Sequence, residues 1–415
     1  MMQKVKIAAI IAEFNPLHKG HEYIIKSARS ITDVTHVLIV QSPNFTQRAE
    51  PAIMEKHARA EAAIYAGASA VVEIPTAYAT GNAEVFAKAS VQIAVSFPHT
   101  THLVFGTESP DLSIIRQIAQ IQVKSKKNFG KYMESHLKKG ISFDKARCEV
   151  VKRLLPKISA DIIERTMKTP NNILAIEYMK ELIRLKSPVI PVGIQRIQTP
   201  SATHIRTAIL GQEMDKETTT SLASPLAEGF HHLTAYNYDI FGATVLFSLM
   251  KNLTTETYNS NQELVNLIKN CHPASYHDLK ESAPTKRYSV SRIARLAIHS
   301  AIDVNKHDIK FLYKNNTLPY VRLLAIDKCE NELFANLCLN KRTPLLVRGN
   351  KVKPKKDKYY QALNRIDDNA DLLFESVTGL KFPKKPIFVK ASCDTRELSQ
   401  TKRTTGRKQI SDNKP

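Results

Sequence analysis

The sequence predicts an α/β fold: a doubly wound parallel sheet of five strands, followed by a second, mostly helical C-terminal domain. Three observations carry this. Short β-branched runs alternate with longer helical patterns through the first two hundred residues. The alternation disappears after about residue 215. The 415 residues also exceed the roughly 250–300 at which a single core stops growing.

The strands are expected at residues 5–12, 35–41, 70–74, 102–105 and 189–194, each an apolar, β-branched run of strand length. Helical periodicity falls between them at 21–30, 53–65 and 83–96, and Gly67 stands just past the second helix as a stop signal. Strands joined by helices form a Rossmann-like sheet covered on both faces. Its ligand crevice lies at the carboxyl ends of the strands, where the winding reverses.

The domain boundaries follow from changes in pattern. Residues 1–215 form the catalytic unit, within which the Lys-rich, helical stretch 112–169 is too long for a plain connection and reads as an insertion. Residues 216–393 carry amphipathic helical patterns at 262–270 and 290–302, with strand-like pieces at 320–326 and 387–391. Residues 394–415 are polar and basic without periodicity, as expected of a tail.

Sixty Lys and Arg against 39 Asp and Glu leave a net charge of +21, which points to a polyanionic partner, RNA or DNA, over a small neutral substrate. No apolar run approaches the roughly 20 residues needed to cross a bilayer, and no small-residue cleavage site follows the first apolar stretch. A cytoplasmic protein is expected. The five cysteines, Cys148, Cys271, Cys329, Cys338 and Cys393, are odd in number and scattered, so five free thiols and no metal site are expected.

The first strand runs into Glu13-Phe14-Asn15-Pro16-Leu17-His18-Lys19-Gly20-His21, and a helix begins at once. An HxGH motif at a strand-to-helix turn binds phosphates. Gly20 admits a close backbone approach, the helix start offers unpaired N–H groups, and two imidazoles can donate to phosphoryl oxygens. His18 and His21 are therefore the candidate catalytic residues, stabilising charge that builds during attack on an α-phosphate.

A second phosphate element, Ser201-Ala202-Thr203-His204-Ile205-Arg206, follows the fifth strand. Ser201 and Thr203 hydroxyls suit phosphoryl oxygens and Arg206 offers a planar fork of donors; taken alone the element reads better as an ordinary Ser or Thr helix cap, and it is the pairing with HxGH that favours phosphate. The stretch 106–108 after the fourth strand is either a plain turn or the floor under an adenine or ribose. GxGxxG and GxxxxGK[ST] patterns are absent, which sets aside dinucleotide oxidoreductases and P-loop NTPases. Lys351, Lys353, Lys355, Lys356 and Lys358 form a basic run that reads equally as a phosphate-binding loop or a solvated one.

Taken together, EFNPLHKGH, NFTQRAEPAI, FGTE, PNNIL, SATHIR, TKRYSVSRI and LPYVRLL resemble the tRNA(Met) cytidine acetate ligase family over residues 5–326. HxGH and SATHIR belong to HxGH nucleotidylyltransferases in general; NFTQRAEP and PNNIL are more specific. The resemblance implies a ligase that activates acetate with ATP as acetyl-adenylate, releasing pyrophosphate. Acetyl then passes to N4 of the wobble cytidine of elongator tRNA(Met), with release of AMP.

By position, the resemblance places ATP contacts on Ile11, Ala12, Glu13, Phe14, Asn15, Pro16, Leu17, His18, Lys19, Gly20, His21, Glu22, Tyr23 and Ile24, and on Gly106, Asn171, Arg196 and Ile197. Ser201, Thr203 and Arg206 join them from the second phosphate element. Mg2+ is expected with the triphosphate, tRNA contacts are expected on residues 216–393, and no obligate protein partner is implied. Similar family members carry glycine at the positions of Pro43 and Ala49 and tryptophan at that of His57, so the loop 42–51 is expected to be shaped differently. Two other functions fit the phosphate motifs: a small-molecule adenylyltransferase of coenzyme synthesis, and a non-catalytic nucleotide- and RNA-binding paralogue. The residues of the acetate pocket are not legible in the sequence.

Overall fold

A computed structural model describes residues 5–108, 111–211, 215–227, 236–285, 287–314, 318–340, 342–347, 357–381, 383 and 385–391. The five expected strands are all present: β1 (Ile7–Ala12), β2 (His36–Gln41), β3 (Ala70–Glu73), β4 (Thr100–Thr107) and β5 (Ile190–Gln195). They pair in parallel in the order β5-β4-β1-β2-β3. Successive strands thus step outward in one direction from β1 through β2 to β3, and in the other from β4 to β5. The reversal opens a crevice between the carboxyl ends of β1 and β4.

The apolar runs form strands because both faces of the sheet are covered. Every residue of β2 and β3 is buried, as are five of the six in β1. The crossover helices Lys19–Arg29, Lys56–Tyr65 and Ala83–Ser96 lie where the periodicity puts them. The second starts later than residue 53, because Glu55 caps it by accepting the His57 and Ala58 N–H groups. Gly67, just past its end, has φ +110, a conformation that other residues resist.

Among the described residues the sheet has eight strands where five were expected. Strand β6 (Val321–Asp327) pairs antiparallel with β3, and β7 (Leu345–Leu346) and β8 (Ile387–Val389) each pair in parallel with β6. The pieces at 320–326 and 387–391 are therefore strands of the first sheet. An uncovered β3 edge would leave a row of unpaired N–H and C=O groups, and β6 satisfies them.

Between β4 and β5 the chain forms the helices Ser113–Lys124, Lys126–Lys138, Phe143–Leu154, Ala160–Lys168 and Pro170–Leu185, the first four of them within the Lys-rich stretch 112–169. The amphipathic patterns beyond residue 215 become the helices Gln262–Cys271 and Val290–Ala301, among others. The long helix Lys358–Thr378 returns to the sheet through buried charge. Lys56 reaches Glu73 at 2.9 Å and Asp371 at 2.7 Å, while Arg322 of β6 reaches Glu73 at 3.0 Å. Asp367 accepts from the Tyr320 hydroxyl at 2.6 Å and from the Thr76 N–H at 2.8 Å.

Cys148, Cys271 and Cys338 are free thiols, but Cys329 is disulfide-bonded, which corrects the expectation of five thiols. Scattered spacing carries no information on proximity in the fold, and the turn that holds Cys329 meets the end of β8, with the Lys328 N–H on the Val389 carbonyl at 2.6 Å. Among the described residues no helix is long and apolar enough to cross a membrane. Lys351, Lys353, Lys355 and Lys356 and the tail 394–415 lie outside the described residues.

Candidate active site

The crevice is a cleft of about 420 Å³ at the carboxyl ends of β1, β4 and β5. Phe14 turns the chain out of β1 with φ +49, and its ring meets that of His21 edge-on at 5.0 Å. His18 then caps the helix Lys19–Arg29, its Nδ1 accepting the Gly20 N–H at 3.0 Å. The His18 N–H points back to His21 Nδ1 at 3.4 Å. A Cβ on Gly20 would stand 2.9 Å from His18 Cε1, so the glycine makes room for the imidazole.

These hydrogen bonds set the chemistry of the pair. An Nδ1 that accepts a main-chain N–H leaves the ring proton on Nε2, so the neutral His18 is a donor on its other side. Burial, reinforced by Arg196 and Arg206, lowers the His18 pKa to about 4. His21 is also held well below the usual value, by burial first and then by His18 and Arg196, against the opposing pull of the Pro16 carbonyl. Both rings are neutral donors near pH 7.

Arg206 sits on the helix Ala202–Leu210, whose N-terminus faces the same cleft. It donates to the Asn15 carbonyl at 2.8 Å and to Thr203 Oγ1 at 3.1 Å, tying the second phosphate element to the first. Ser201 lines the cleft and is also the helix cap, accepting the His204 N–H at 3.2 Å. On the far wall Asn171 donates to Glu108 Oε1 at 3.3 Å and Asn172 accepts the Glu108 N–H at 3.3 Å. Arg196 approaches the same carboxylate at 3.9 Å. The stretch after β4, the start of the helix Pro170–Leu185 and the end of β5 are thereby joined.

Of the sequence-predicted residues, the fold brings Ile11, Ala12, Glu13, Phe14, Asn15, His18, Gly20, His21, Tyr23 and Ile24 to the cleft wall. Gly106, Asn171, Arg196, Ile197, Ser201, Thr203 and Arg206 are there as well. Pro16, Leu17, Lys19 and Glu22 are not. Leu17 is fully buried, Lys19 faces solvent, and Glu22 accepts from Ser224 Oγ at 3.0 Å and from Lys26 at 2.6 Å. A helix that opens at the site turns some of its side chains away from it.

Sequence reasoning missed the wall made by Thr46, Gln47, Arg48 and Glu50. It also missed Arg59, which is fully buried and donates to the carbonyls of Met54 (3.0 Å), Glu13 and Pro43. This arginine clamps the loop after β2 to the end of β1. Asn15 adds a second clasp, accepting the Ile53 N–H at 2.9 Å. Ala49 has φ +61 within that loop, a left-handed conformation that glycine adopts freely and alanine rarely does. The available signal was an arginine on the same helix face as Ala60, Ala63 and Ile64, all of which are buried.

No group of three or more His, Cys, Asp or Glu that could hold a metal occurs among the described residues. A magnesium ion carried by phosphate oxygens needs only one or two protein groups, if any.

The HIGH Nucleotidyl Transferase family matches residues 5–383. The chain is similar to the tRNA(Met) cytidine acetate ligase of Clostridium perfringens, 31% identical over 84% of this chain and 91% of that protein. It is also similar to the protein of the same name from Halothermothrix orenii, 29% identical over 91% of this chain and 95% of that one. Among solved structures, Thermotoga maritima TmcAL bound with alpha-thio ATP superposes with a TM-score of 0.85 at 26% identity, covering 93% of this chain and all of that one. With its cleft at the β1/β4 reversal and its sequence matched over nearly all its length, the chain belongs to the tRNA(Met) cytidine acetate ligase family of HIGH nucleotidyl transferases.

Proposed function

We propose that the cleft binds ATP, with magnesium on its triphosphate, activates acetate as acetyl-adenylate, and delivers the acetyl group to N4 of the wobble cytidine of elongator tRNA(Met). The observation that carries this reading is the His18–His21 pair, two neutral imidazoles fixed at a helix start. An acetate oxygen attacks the α-phosphorus, and the bond to the bridging oxygen of pyrophosphate breaks. Imidazole donors and the N-termini of the helices Lys19–Arg29 and Ala202–Leu210 stabilise the charge that develops on the phosphoryl oxygens. Arg206 supports the departing pyrophosphate.

Nucleotide contacts are assigned to the cleft-lining residues around HxGH and to Gly106, Asn171, Arg196 and Ile197, with Ser201, Thr203 and Arg206 at the phosphates. In the second step the cytidine amine attacks the acyl carbon, AMP leaves, and the amine proton passes to solvent. A net charge of +21 supports an RNA substrate, and residues 216–393 are its proposed contact region. An anticodon loop offers its base without duplex melting. The reaction needs no membrane and no second protein, in keeping with a cytoplasmic site of action.

The test is incubation with ATP, magnesium, labelled acetate and unmodified elongator tRNA(Met), followed by nucleoside analysis. Label in N4-acetylcytidine is the expected result. Absence of acetate-dependent release of AMP and pyrophosphate would overturn the reading.

A further inference from the structure

Elsewhere in the fold, covered arginines meet carboxylates: Arg147 reaches Glu177 at 3.0 Å, Arg184 reaches Glu181 at 2.5 Å and Arg322 reaches Glu73 at 3.0 Å. Two on the helix Val290–Ala301 do not. Arg292 and Arg295 are half-buried, and among the described residues neither is paired with an acid. Arg292 lies over the Tyr288 ring at 4.9 Å and donates to the Asn259 carbonyl at 3.3 Å, while Arg295 reaches the Ser291 hydroxyl at 3.5 Å. Burial lowers the Arg295 pKa, Tyr258 opposes this, and the Arg292 guanidinium adds to it. Two cations thus stand together without an anion, which is unfavourable until one arrives.

The terminal nitrogens are the ones a ligand can reach. Nε of both residues is shielded without a partner, whereas Nη1 of each is neither shielded nor hydrogen-bonded. Residues three apart on a helix have Cβ atoms about 5–6 Å from each other, so one phosphate or two successive ones can engage both side chains. Their place in the fold is also specific. One turn beyond Arg295, His299 Nε2 meets Thr80 Oγ1 at 3.0 Å, and Thr80 follows the carboxyl end of β3 through the helix Thr76–Ala79. The next helix, Ala83–Ser96, sends Phe86 to the cleft wall. The helix of the two arginines is therefore docked at the sheet edge that carries the cleft, yet neither arginine lines the cleft itself.

We propose that Arg292 and Arg295 hold backbone phosphates of the RNA substrate while its cytidine occupies the cleft. This rests on the reading above that the chain acts on RNA, and it names the contact within residues 216–393. A chain with a net charge of +21 favours repeated phosphate contacts over a single acidic peptide. Phosphates carry no sequence information, so the pair sets affinity and orientation and leaves the choice of base to the cleft.

Direct binding of unmodified elongator tRNA(Met) over a range of salt concentrations tests it without turnover. Arg292→Gln combined with Arg295→Gln is expected to raise the Kd at least about tenfold and to make the log–log salt slope shallower by at least about 0.7. An unrelated tRNA weakens by a similar factor, because phosphates are common to both. Acetate-dependent exchange of labelled pyrophosphate into ATP, which reads the first step without RNA, stays within about twofold of wild type, and unfolding midpoints stay within a few degrees. An unchanged Kd, a higher Kd with an unchanged salt slope, or a loss of exchange as large as the loss of binding overturns the assignment while leaving the adenylation reading in place. Salt-dependent binding that the double variant weakens, in a protein without acetate-dependent exchange, supports the contact and overturns adenylation. Wild-type protein that binds no tRNA overturns the contact and the RNA reading together.

Discussion

His18 and His21 stack with ring centroids 3.8 Å apart and planes 27° apart, and neither can hold a proton on both nitrogens near neutral pH. Two stacked imidazolium ions would repel each other inside a wall that already carries Arg196 and Arg206. Their neutrality is what lets them donate from a fixed side without a counterion.

Replacing His21 by Ala is expected to lower the acetate-dependent exchange rate about 100-fold or more, the loss typical of one transition-state donor. Unchanged turnover would remove His21 from the reaction. With the His18 pKa at about 4, neither imidazole gives a break in the wild-type rate between pH 6 and 8. A break near pH 6.5, unaltered by saturating substrates, would contradict that assignment.

The same burial makes stability pH-dependent. Between pH 6.5 and about 4 the unfolded chain binds a proton at His18 that the folded chain refuses, so stability falls as pH is lowered through this window. From pH 7 to 5 the His18 contribution is a loss of roughly 2 kcal/mol. The fully buried His299, whose pKa is lowered to about 3, acts in the same direction. His18→Asn keeps an acceptor for the Gly20 N–H and should flatten the decline measured by urea unfolding at the two pH values. An unaltered slope would assign the decline to other groups.

Arg206→Ala is expected to reduce kcat/KM for ATP by about 100-fold, because it removes both the guanidinium and its tie from Thr203 to the Asn15 carbonyl. Arg206→Lys keeps charge without the fork and should recover only part of the loss. Equal activity of the Lys variant and the wild type would show that charge alone matters.

Glu73 is 2% exposed and faces both Lys56 and Arg322, which hold its pKa down to about 2 against the effect of burial. Glu73→Ala leaves two buried cations with one fewer anion and is expected to cost about 3–5 kcal/mol. Glu73 stabilises above pH 4.5, and its contribution is lost as pH falls toward 2. A loss below 1 kcal/mol in urea unfolding would mean that Asp367 and Asp371 suffice.

Ala49 occupies φ +61 while fully buried. A β-branched residue there meets both a forbidden backbone and a filled core, so Ala49→Val should destabilise by about 2 kcal/mol or more. A neutral substitution would show that the loop can change its turn.

The phosphate-binding turn was legible in the sequence because its parts are local. Strand, HxGH and helix are contiguous, and a strand that ends where a helix begins puts His18, Gly20 and His21 at the sheet's carboxyl edge whatever the rest of the chain does. The five parallel strands were legible for a related reason: burial on both faces requires apolar runs of a particular length. Glu22 and Leu17 lie within the same motif yet leave the cleft, since helical rotation and core packing depend on what covers the helix.

Tertiary structure alone decided the pairings between distant segments. No periodicity announces that β6 closes the β3 edge, that Lys56 meets Asp371, or that Arg59 ties the loop after β2 to the end of β1. The wall made by Thr46, Gln47, Arg48 and Glu50 is held against the end of β1 by that clamp and by the Gln47 N–H on Glu13 Oε1. Such contacts arise from satisfying buried N–H, C=O and charged groups wherever the folded chain leaves them. Their identity depends on the assembled sheet and not on any local run of residues.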